Sequence, residues 1–237
     1  MPELRQAITE ALGPRYRVER EVRPVGECRL FVAVDPAGEA QLLVKVLPTT
    51  LSMSVDDAAF ERAILLLASA LRHDRLVPPR GAGRARAHIY HTRPFVAGTT
   101  LRAWMGHNGP VPLRRAVEIL TAVLSGLAHA HAAQLAHGEV IPENVVLTDD
   151  GALVVDTGVR GAVGRCLRAG SLPECSAEGD MRAVGALVYE MLTGRQPPPD
   201  PEKFEETRAL PAWVPDLLSH RWADAGEALA AIQPSHL

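Results

Sequence analysis

The spacing of apolar residues changes once along the chain, and this change limits the possible fold more than any other feature. Three segments between residues 16 and 47 are rich in β-branched and aromatic residues, as strands are: YRVEREV, CRLFVAVD and EAQLLVKVL. The residues Asp35–Gly38 are typical of a turn and predict a hairpin between the last two. A helical pattern runs from Ser54, the expected N-cap, to Arg72. One more strand pattern covers residues 88–96.

The remainder of the chain is mainly helical. Residues 111–134 are apolar around much of the helix circumference, which predicts a buried helix. Residues 180–193 predict another helix, ended by Gly194, and residues 223–232 predict the last one. A short hairpin with the turn Asp149–Gly151 is expected between the first two helices.

This order predicts an α+β protein of two lobes. The expected parts are an amphipathic N-terminal extension (1–15), a β-rich first lobe with one main helix (16–96), and a shortened, mainly helical second lobe (97–237). Together the lobes form one bilobal domain. The extension is expected to dock either on the first lobe or on a partner.

Composition excludes several classes of protein. A formal net charge of −3 gives no overall attraction to nucleic acid or to an anionic membrane. A cluster of arginines without interleaved aromatic residues favours a solvated basic loop over a phosphate-binding patch. These arginines are Arg72, Arg75, Arg80, Arg84 and Arg86. The sequence contains no run of about 18 apolar residues, so no membrane span is predicted. The three cysteines lack CxxC spacing, which argues against a disulfide framework or a zinc site and favours a cytoplasmic location.

Five segments, taken in order, resemble the motifs of one family. They are YRVEREV, LLVKVLP, HGEVIPENVVL, VVDTG and DMRAVGALVYEMLTGRQPP. They are similar to the opening strand, the lysine strand, the HRDxKPEN loop, the DFG motif and the buried central helix of eukaryotic-like bacterial serine/threonine protein kinases. The resemblance runs across nearly the whole chain and implies a bilobal protein-kinase-like fold.

The resemblance implies a set of nucleotide-binding residues. Lys45 matches the lysine that reaches the nucleotide phosphates, and Gly26 is what remains of the glycine-rich loop. Asn144 and Asp156 match the pair that holds Mg²⁺, and the hairpin between them should return Asp156 beside Asn144. Two outcomes stay open at this point: weak binding of ATP and Mg²⁺, or no cofactor. In the second case Lys45 is an ordinary surface lysine, and Asn144 and Asp156 are ordinary residues at the end of a hairpin.

The matching catalytic loop departs from the family at three positions. Glu139 stands where the family has the aspartate that orients the attacking hydroxyl, and a misplacement of about 1 Å can cost roughly 10²-fold in rate. Ile141 replaces a lysine that balances phosphate charge, a loss on the order of 3 kcal/mol. Gly138 replaces the arginine that reads phosphorylated activation loops.

The phosphate-binding loop and the helix of the first lobe are also altered. Arg23 and Val25 occupy the first two glycine positions, where backbone amides must approach phosphate closely. Ala63 or Ile64 stands where the family has the glutamate that pairs with the lysine, and Glu61 would need a shifted register.

Two arginines carry further expectations. Arg93, just before the match to the hinge, is expected to reach inward and pair with an acid, Asp156 included. Arg221 matches the arginine that pairs with an activation-segment glutamate, here Glu174. The segment between Asp156 and Asp180 is short, which leaves little room for a peptide substrate.

These features favour a pseudokinase that acts as a protein-binding scaffold or allosteric regulator. Its protein partner is unknown, and neither nucleic acid nor a membrane span is expected. One alternative is a weak or atypical ATP-dependent serine/threonine protein kinase with Glu139 as the catalytic base. Another is an ATP sensor without turnover.

Overall fold

The computed structural model describes residues 2–38, 40–198, 210–211, 213–219 and 221–232. In chain order its elements are α1 (Pro2–Leu12), β1 (Arg17–Val25), β2 (Cys28–Val34), β3 (Gln41–Val46), α2 (Thr49–Ser54), α3 (Asp57–Ala70), β4 (Leu76–Val77), β5 (Gly81–Ala85), β6 (His88–Pro94), β7 (Thr99–Thr100), α4 (Leu101–Asn108), α5 (Leu113–Ala132), a 3₁₀ turn (Pro142–Asn144), β8 (Val145–Thr148), β9 (Gly151–Val155), α6 (Val159–Arg165), α7 (Ala177–Thr193), α8 (Trp213–Leu218) and α9 (Ala225–Ala231).

Two compact units share these elements. The first unit comprises Met1–Arg72, Pro78–Val96 and Ala162–Pro173. The second comprises His73–Val77, Ala97–Gly161 and Glu174–Leu237. The predicted lobes are continuous in sequence, whereas each unit includes a short segment from the other half of the chain.

An antiparallel sheet of order β1-β2-β3-β6-β5 forms the centre of the first unit. Because side chains alternate along a strand, β3 sends Val44 and Val46 to one face and Leu43 and Lys45 to the other. Lys45 lies opposite Leu30 on β2 and opposite His91 on β6.

Helix α1 covers the Val44 face of this sheet. Its apolar residues Leu4, Ala7 and Ile8 are buried in one cluster with Phe31 and Val44. The N-terminal extension therefore docks on the first unit, one of the two outcomes expected from its amphipathic sequence.

The main helix of the first unit starts later than predicted. Ser54 ends the short helix α2, and Asp56 is the N-cap of α3, where its carboxylate accepts a hydrogen bond from Ala59 N at 2.9 Å. The prediction of Ser54 as the N-cap was wrong, since Val55 is extended and breaks the helical pattern. The buried face of α3 includes Phe60 and Ile64.

The second unit combines a sheet of order β4-β9-β8-β7 with helices. Helix α5 is buried over much of its circumference, as predicted. Helix α7 starts three residues earlier than predicted because Ser176 caps it, and it ends at Gly194 with a left-handed backbone. Helices α4 and α8 were not predicted.

None of the helices in the described part of the chain is long and apolar enough to cross a membrane.

Candidate functional site

A buried carboxylate anchors the loop that precedes β8. Asp180, on α7 and 2% exposed, accepts hydrogen bonds from His137 N at 2.6 Å and from Gly138 N at 2.8 Å. The Nε2 atom of His131 lies 3.0 Å from the same carboxylate. Because both backbone donors belong to adjacent residues, Asp180 fixes the direction in which the loop leaves α5.

His137 is buried and neutral. Burial lowers its pKa, and this outweighs the opposing charges of Asp180, Asp156 and Glu139. Its Nδ1 atom accepts from Glu139 N at 3.1 Å, so the proton resides on Nε2, which donates to Val155 O at 3.1 Å. The ring therefore connects the loop to the end of β9.

Glu139 and Asn144 are joined within this loop. The Nδ2 atom of Asn144 donates to the backbone oxygen of Glu139 at 2.9 Å and to its Oε2 at 3.3 Å. Asn144 is 2% exposed and ends the 3₁₀ turn that leads into β8. With its Nδ2 engaged, Asn144 retains Oδ1 as an oxygen donor for a ligand.

Asp156 follows β9 at the same end of the β8–β9 hairpin as Asn144, since Val145 pairs with Val154. The hairpin therefore returns Asp156 as its spacing predicted. Its φ of +63° is uncommon for a residue with a side chain and is typical of strained positions at functional sites. Carboxylate and amide oxygens are the donors that Mg²⁺ prefers, so Asp156 and Asn144 could hold this ion.

Gly138 has no room for a side chain. Its φ is +80°, and an added β-carbon would overlap the Sγ atom of Cys175 and lie 3.2 Å from its Cβ. The sulfur of Cys175 thus occupies the volume where the stem of an arginine would begin. The sequence suggested the loss of this arginine but not what replaced it.

The first unit carries the other two predicted nucleotide-binding residues. Lys45 is 6% exposed on β3. Gly26 is exposed, has a φ of +54° and lies in the tight turn between Val25 and Cys28, which pair as the last residues of the β1–β2 ladder. Their roles in nucleotide binding stay predictions.

On α3, Ile64 is buried and Ala63 is half-buried, and neither carries a charge. Glu61 is exposed, and its charge acts on the Tyr90 hydroxyl, whose pKa is raised first by burial and then by this charge.

Arg93 is 9% exposed on β6, and its Nη1 donates to Pro94 O at 3.3 Å. The expectation that Arg93 is buried is therefore confirmed. Its pairing with Asp156 stays a prediction.

Arg221 does not pair with Glu174 among the described residues. Its Nη1 donates to Asp216 Oδ2 at 2.9 Å, and its side chain is 65% exposed. The prediction that Arg221 pairs with Glu174 was wrong. Arg221 lies just after α8, where its backbone N also donates to Asp216 O, and this places its side chain beside Asp216.

An ion-pair network beside the loop was missed. Arg102 on α4 donates through Nε to Glu143 Oε1 at 2.8 Å and through Nη1 and Nη2 to the carboxylate of Glu190 on α7. These hydrogen bonds raise the pKa of Arg102, the Glu190 bond most. The network connects α4, the 3₁₀ turn and α7, and no short-range spacing in the sequence indicated it.

Comparison with known proteins identifies relatives of the chain. The serine/threonine-protein kinase PknL of Mycobacterium tuberculosis is 30% identical over 206 residues, which are 78% of this chain and 51% of PknL. The serine/threonine-protein kinase PrkC of Bacillus subtilis is 26% identical over 207 residues, 80% of this chain and 32% of PrkC. The chain thus spans about half the length of PknL and about a third of PrkC. No protein-family model matches.

Solved structures agree on the fold. The PknI kinase domain of Mycobacterium tuberculosis superposes with a TM-score of 0.72 at 22% identity, covering 92% of this chain and 94% of that one. A Rad53 fragment in complex with AMP-PNP superposes with a TM-score of 0.70 at 20% identity, and the match covers 98% of this chain and 67% of that one. The chain therefore has the protein-kinase fold, and its homologues are bacterial serine/threonine protein kinases.

Proposed function

We propose that the chain is a pseudokinase that acts as a protein-binding scaffold or allosteric regulator. The observation that carries the proposal is the hydrogen bonding between Glu139 and Asn144 inside the catalytic-loop match. A general base must be available to the hydroxyl that it deprotonates. Here one oxygen of the carboxylate in the base position, Oε2, accepts a hydrogen bond of 3.3 Å from the side chain of the residue in the metal-ligand position.

The neighbouring positions support the same function. Gly138 and Cys175 fill the space of the arginine that would read a phosphorylated loop, and Ile141 supplies no charge to a phosphate. In phosphoryl transfer the protein contributes mainly positioning and charge stabilisation, so these losses remove much of what catalysis requires.

The scaffold of the second unit is kept. Asp180 is buried and holds two backbone amides of the loop. Gly185 lets α7 pack directly on the backbone of Leu217, where an added β-carbon would lie 3.0 Å from main-chain atoms. A preserved interior beside altered chemistry is expected of a protein whose output is a contact with another protein.

A second candidate is an ATP sensor that binds the nucleotide without turnover. Two observations favour it. Lys45, Asn144 and Asp156 are each less than 10% exposed, and Asp156 keeps a strained backbone that is typical of a functional site. The Rad53 fragment with this fold was solved with AMP-PNP. When bound, Mg²⁺ would neutralise phosphate charge, held by Asn144 and Asp156, while Lys45 would bind a phosphate.

Transfer of labelled phosphate from ATP tests the pseudokinase proposal. The purified chain is compared with Asp156→Ala in the presence of Mg²⁺ and a general protein substrate, after thermal melting has shown that both are folded. Equal background labelling supports a pseudokinase. Strong, metal-dependent labelling by the wild-type chain alone would instead establish an active kinase.

A thermal-shift titration separates the scaffold from the sensor. ATP is added up to millimolar concentration with and without Mg²⁺, and Lys45→Met is the matched variant. A rise in melting temperature that Mg²⁺ increases and Lys45→Met reduces supports the sensor. No shift in any condition eliminates the sensor and leaves the scaffold.

A further inference from the structure

The segment after α6 pairs with the junction between α2 and α3. Asp56 N donates to Cys166 O at 2.8 Å, and Arg168 N donates to Ser54 O at 2.7 Å. These bonds form an antiparallel bridge in which Val55 lies opposite Leu167. Because both belong to the first unit, the bridge joins residues far apart in sequence within one compact body.

The Asp56 carboxylate serves the bridge and the helix together. One oxygen accepts from Ala59 N at 2.9 Å and caps α3. The other accepts from Arg168 Nη2 at 3.1 Å and from its Nε at 3.3 Å. These hydrogen bonds, the cap first, hold the pKa of Asp56 below its usual range. One side chain therefore connects Arg168 to the first turn of α3.

A second arginine binds the same junction from the sheet. Arg84 on β5 donates to Asp57 Oδ2 at 3.3 Å and to the backbone oxygens of Ser52 and Val55, each at 3.3 Å. The Nη2 atom of Arg168 lies 3.7 Å from the other oxygen of Asp57. The start of α3 is thus held between Arg84 and Arg168.

The bridge also has an apolar interior. Val55 is fully buried, Cys166 is 7% exposed and Val163 of α6 is 3% exposed. Opening it would expose this apolar surface and leave two backbone amides without their present partners, and both changes are unfavourable. The contact is therefore more than a pair of surface charges.

We propose that Cys166–Arg168 is an intramolecular strap that fixes the first turn of α3, with Arg168 as the residue that locks it. In this chain α3 carries Ala63 and Ile64 where a carboxylate would pair with Lys45, and the strap gives the helix a different tether. A partner or ligand that requires α3 or the strap to move must first break the Asp56–Arg168 contact. This regulation goes beyond the proposed function and does not depend on it.

Hydrogen exchange of backbone amides tests the strap. In Arg168→Ala the amides of Asp56 and Ala59 are expected to exchange about 3- to 10-fold faster than in the wild type, together with the amide of residue 168. Amides of α7, in the other unit, should not change. Arg165→Ala is the matched control because Arg165 is an exposed arginine three residues earlier. Its exchange pattern should match the wild type.

Salt provides a second readout that a merely structural change would not reproduce. Arg168 is 61% exposed and Asp56 39%, so 1 M NaCl should screen their attraction and accelerate exchange at Asp56 in the wild type. Arg168→Ala should show no such salt effect. The proposal is overturned if residues 166–168 exchange faster in Arg168→Ala while the Asp56 and Ala59 amides stay as slow as in the wild type, or if no amide changes.

Discussion

The sulfur of Cys175 fills the space that a β-carbon on Gly138 would need. Gly138 also has a φ of +80°, a conformation that side-chain-bearing residues rarely adopt. An arginine at this position would therefore meet two obstacles, the contact with Cys175 and the backbone conformation. Restoring it by one substitution would conflict with both.

Gly138→Ala should lower the free energy of unfolding by about 2–4 kcal/mol, because backbone strain adds to the overlap with Cys175. Urea denaturation followed by circular dichroism measures this change. In Gly138→Ala combined with Cys175→Gly, the part of this loss in stability that comes from the overlap should disappear. The part that comes from backbone strain should remain. A single variant as stable as the wild type would show that the loop adjusts freely.

Stability should fall below pH 6.5 because of His137. Burial lowers its pKa in the folded chain from an ordinary value of 6.5, so below 6.5 the unfolded chain binds a proton that the folded chain does not. The free energy of unfolding should therefore decrease as the pH falls, by up to about 1.4 kcal/mol per pH unit until the folded-state pKa is reached, and should be independent of this group above 6.5.

Urea denaturation between pH 5 and pH 7.5 checks this slope. His137→Gln should be less stable than the wild type, and its free energy of unfolding should no longer contain the pH dependence that His137 contributes. His107→Gln, a change at an exposed site, should keep this pH dependence. The carboxyl groups of Glu21, Asp35 and Asp56, whose pKa values are lowered, act at lower pH and do not interfere. Identical slopes for His137→Gln and the wild type would contradict the prediction.

The sequence predicted what short-range patterns encode. Strand alternation assigned Lys45 to a strand, and the turn at Asp149–Gly151 correctly returned Asp156 to the Asn144 end of its hairpin. Both follow from residues that are close in the chain, where periodicity and turn chemistry decide the local structure.

Long-range charge pairing could not be read in the same way. The partners of Arg102 are 41 and 88 residues away, and Asp56, the hydrogen-bond partner of Arg168, is 112 residues away. Each arginine has several acids that it could reach in principle, and only the packing of the elements selects among them. The expected Arg221–Glu174 pair failed for this reason, since Asp216 lies closer.

Restoring two family residues should not restore activity. The double variant is Glu139→Asp combined with Ile141→Lys. Its shorter carboxylate should no longer accept the hydrogen bond from Asn144 Nδ2, whereas the backbone oxygen of residue 139 should still accept one from the same atom. We expect no labelling above the Asp156→Ala background, because Gly138 and the altered glycine loop remain. Metal-dependent labelling by the double variant but not by the wild type would show that changes at these two positions are sufficient for phosphate transfer.

Arg102 should contribute measurably to stability although it is partly exposed. Arg102→Met keeps the length of the side chain but leaves the carboxylates of Glu143 and Glu190 near each other without a cation. The free energy of unfolding should fall by about 1.5–3 kcal/mol, since hydrogen bonds to charged groups are lost and Glu190 is largely buried.

Arg102→Lys should recover only part of this loss, because one ammonium group cannot reproduce the forked contacts to two carboxylates. Arg114→Met is the matched control, since Arg114 and its partner Glu118 are 90% and 64% exposed, and it should change stability by less than about 0.5 kcal/mol. Urea denaturation of the three variants at low salt measures all these differences. Equal losses for Arg102→Met and Arg114→Met would mean that the network is no stronger than an ordinary surface pair, and the loop would then be held by Asp180 without the support of Arg102.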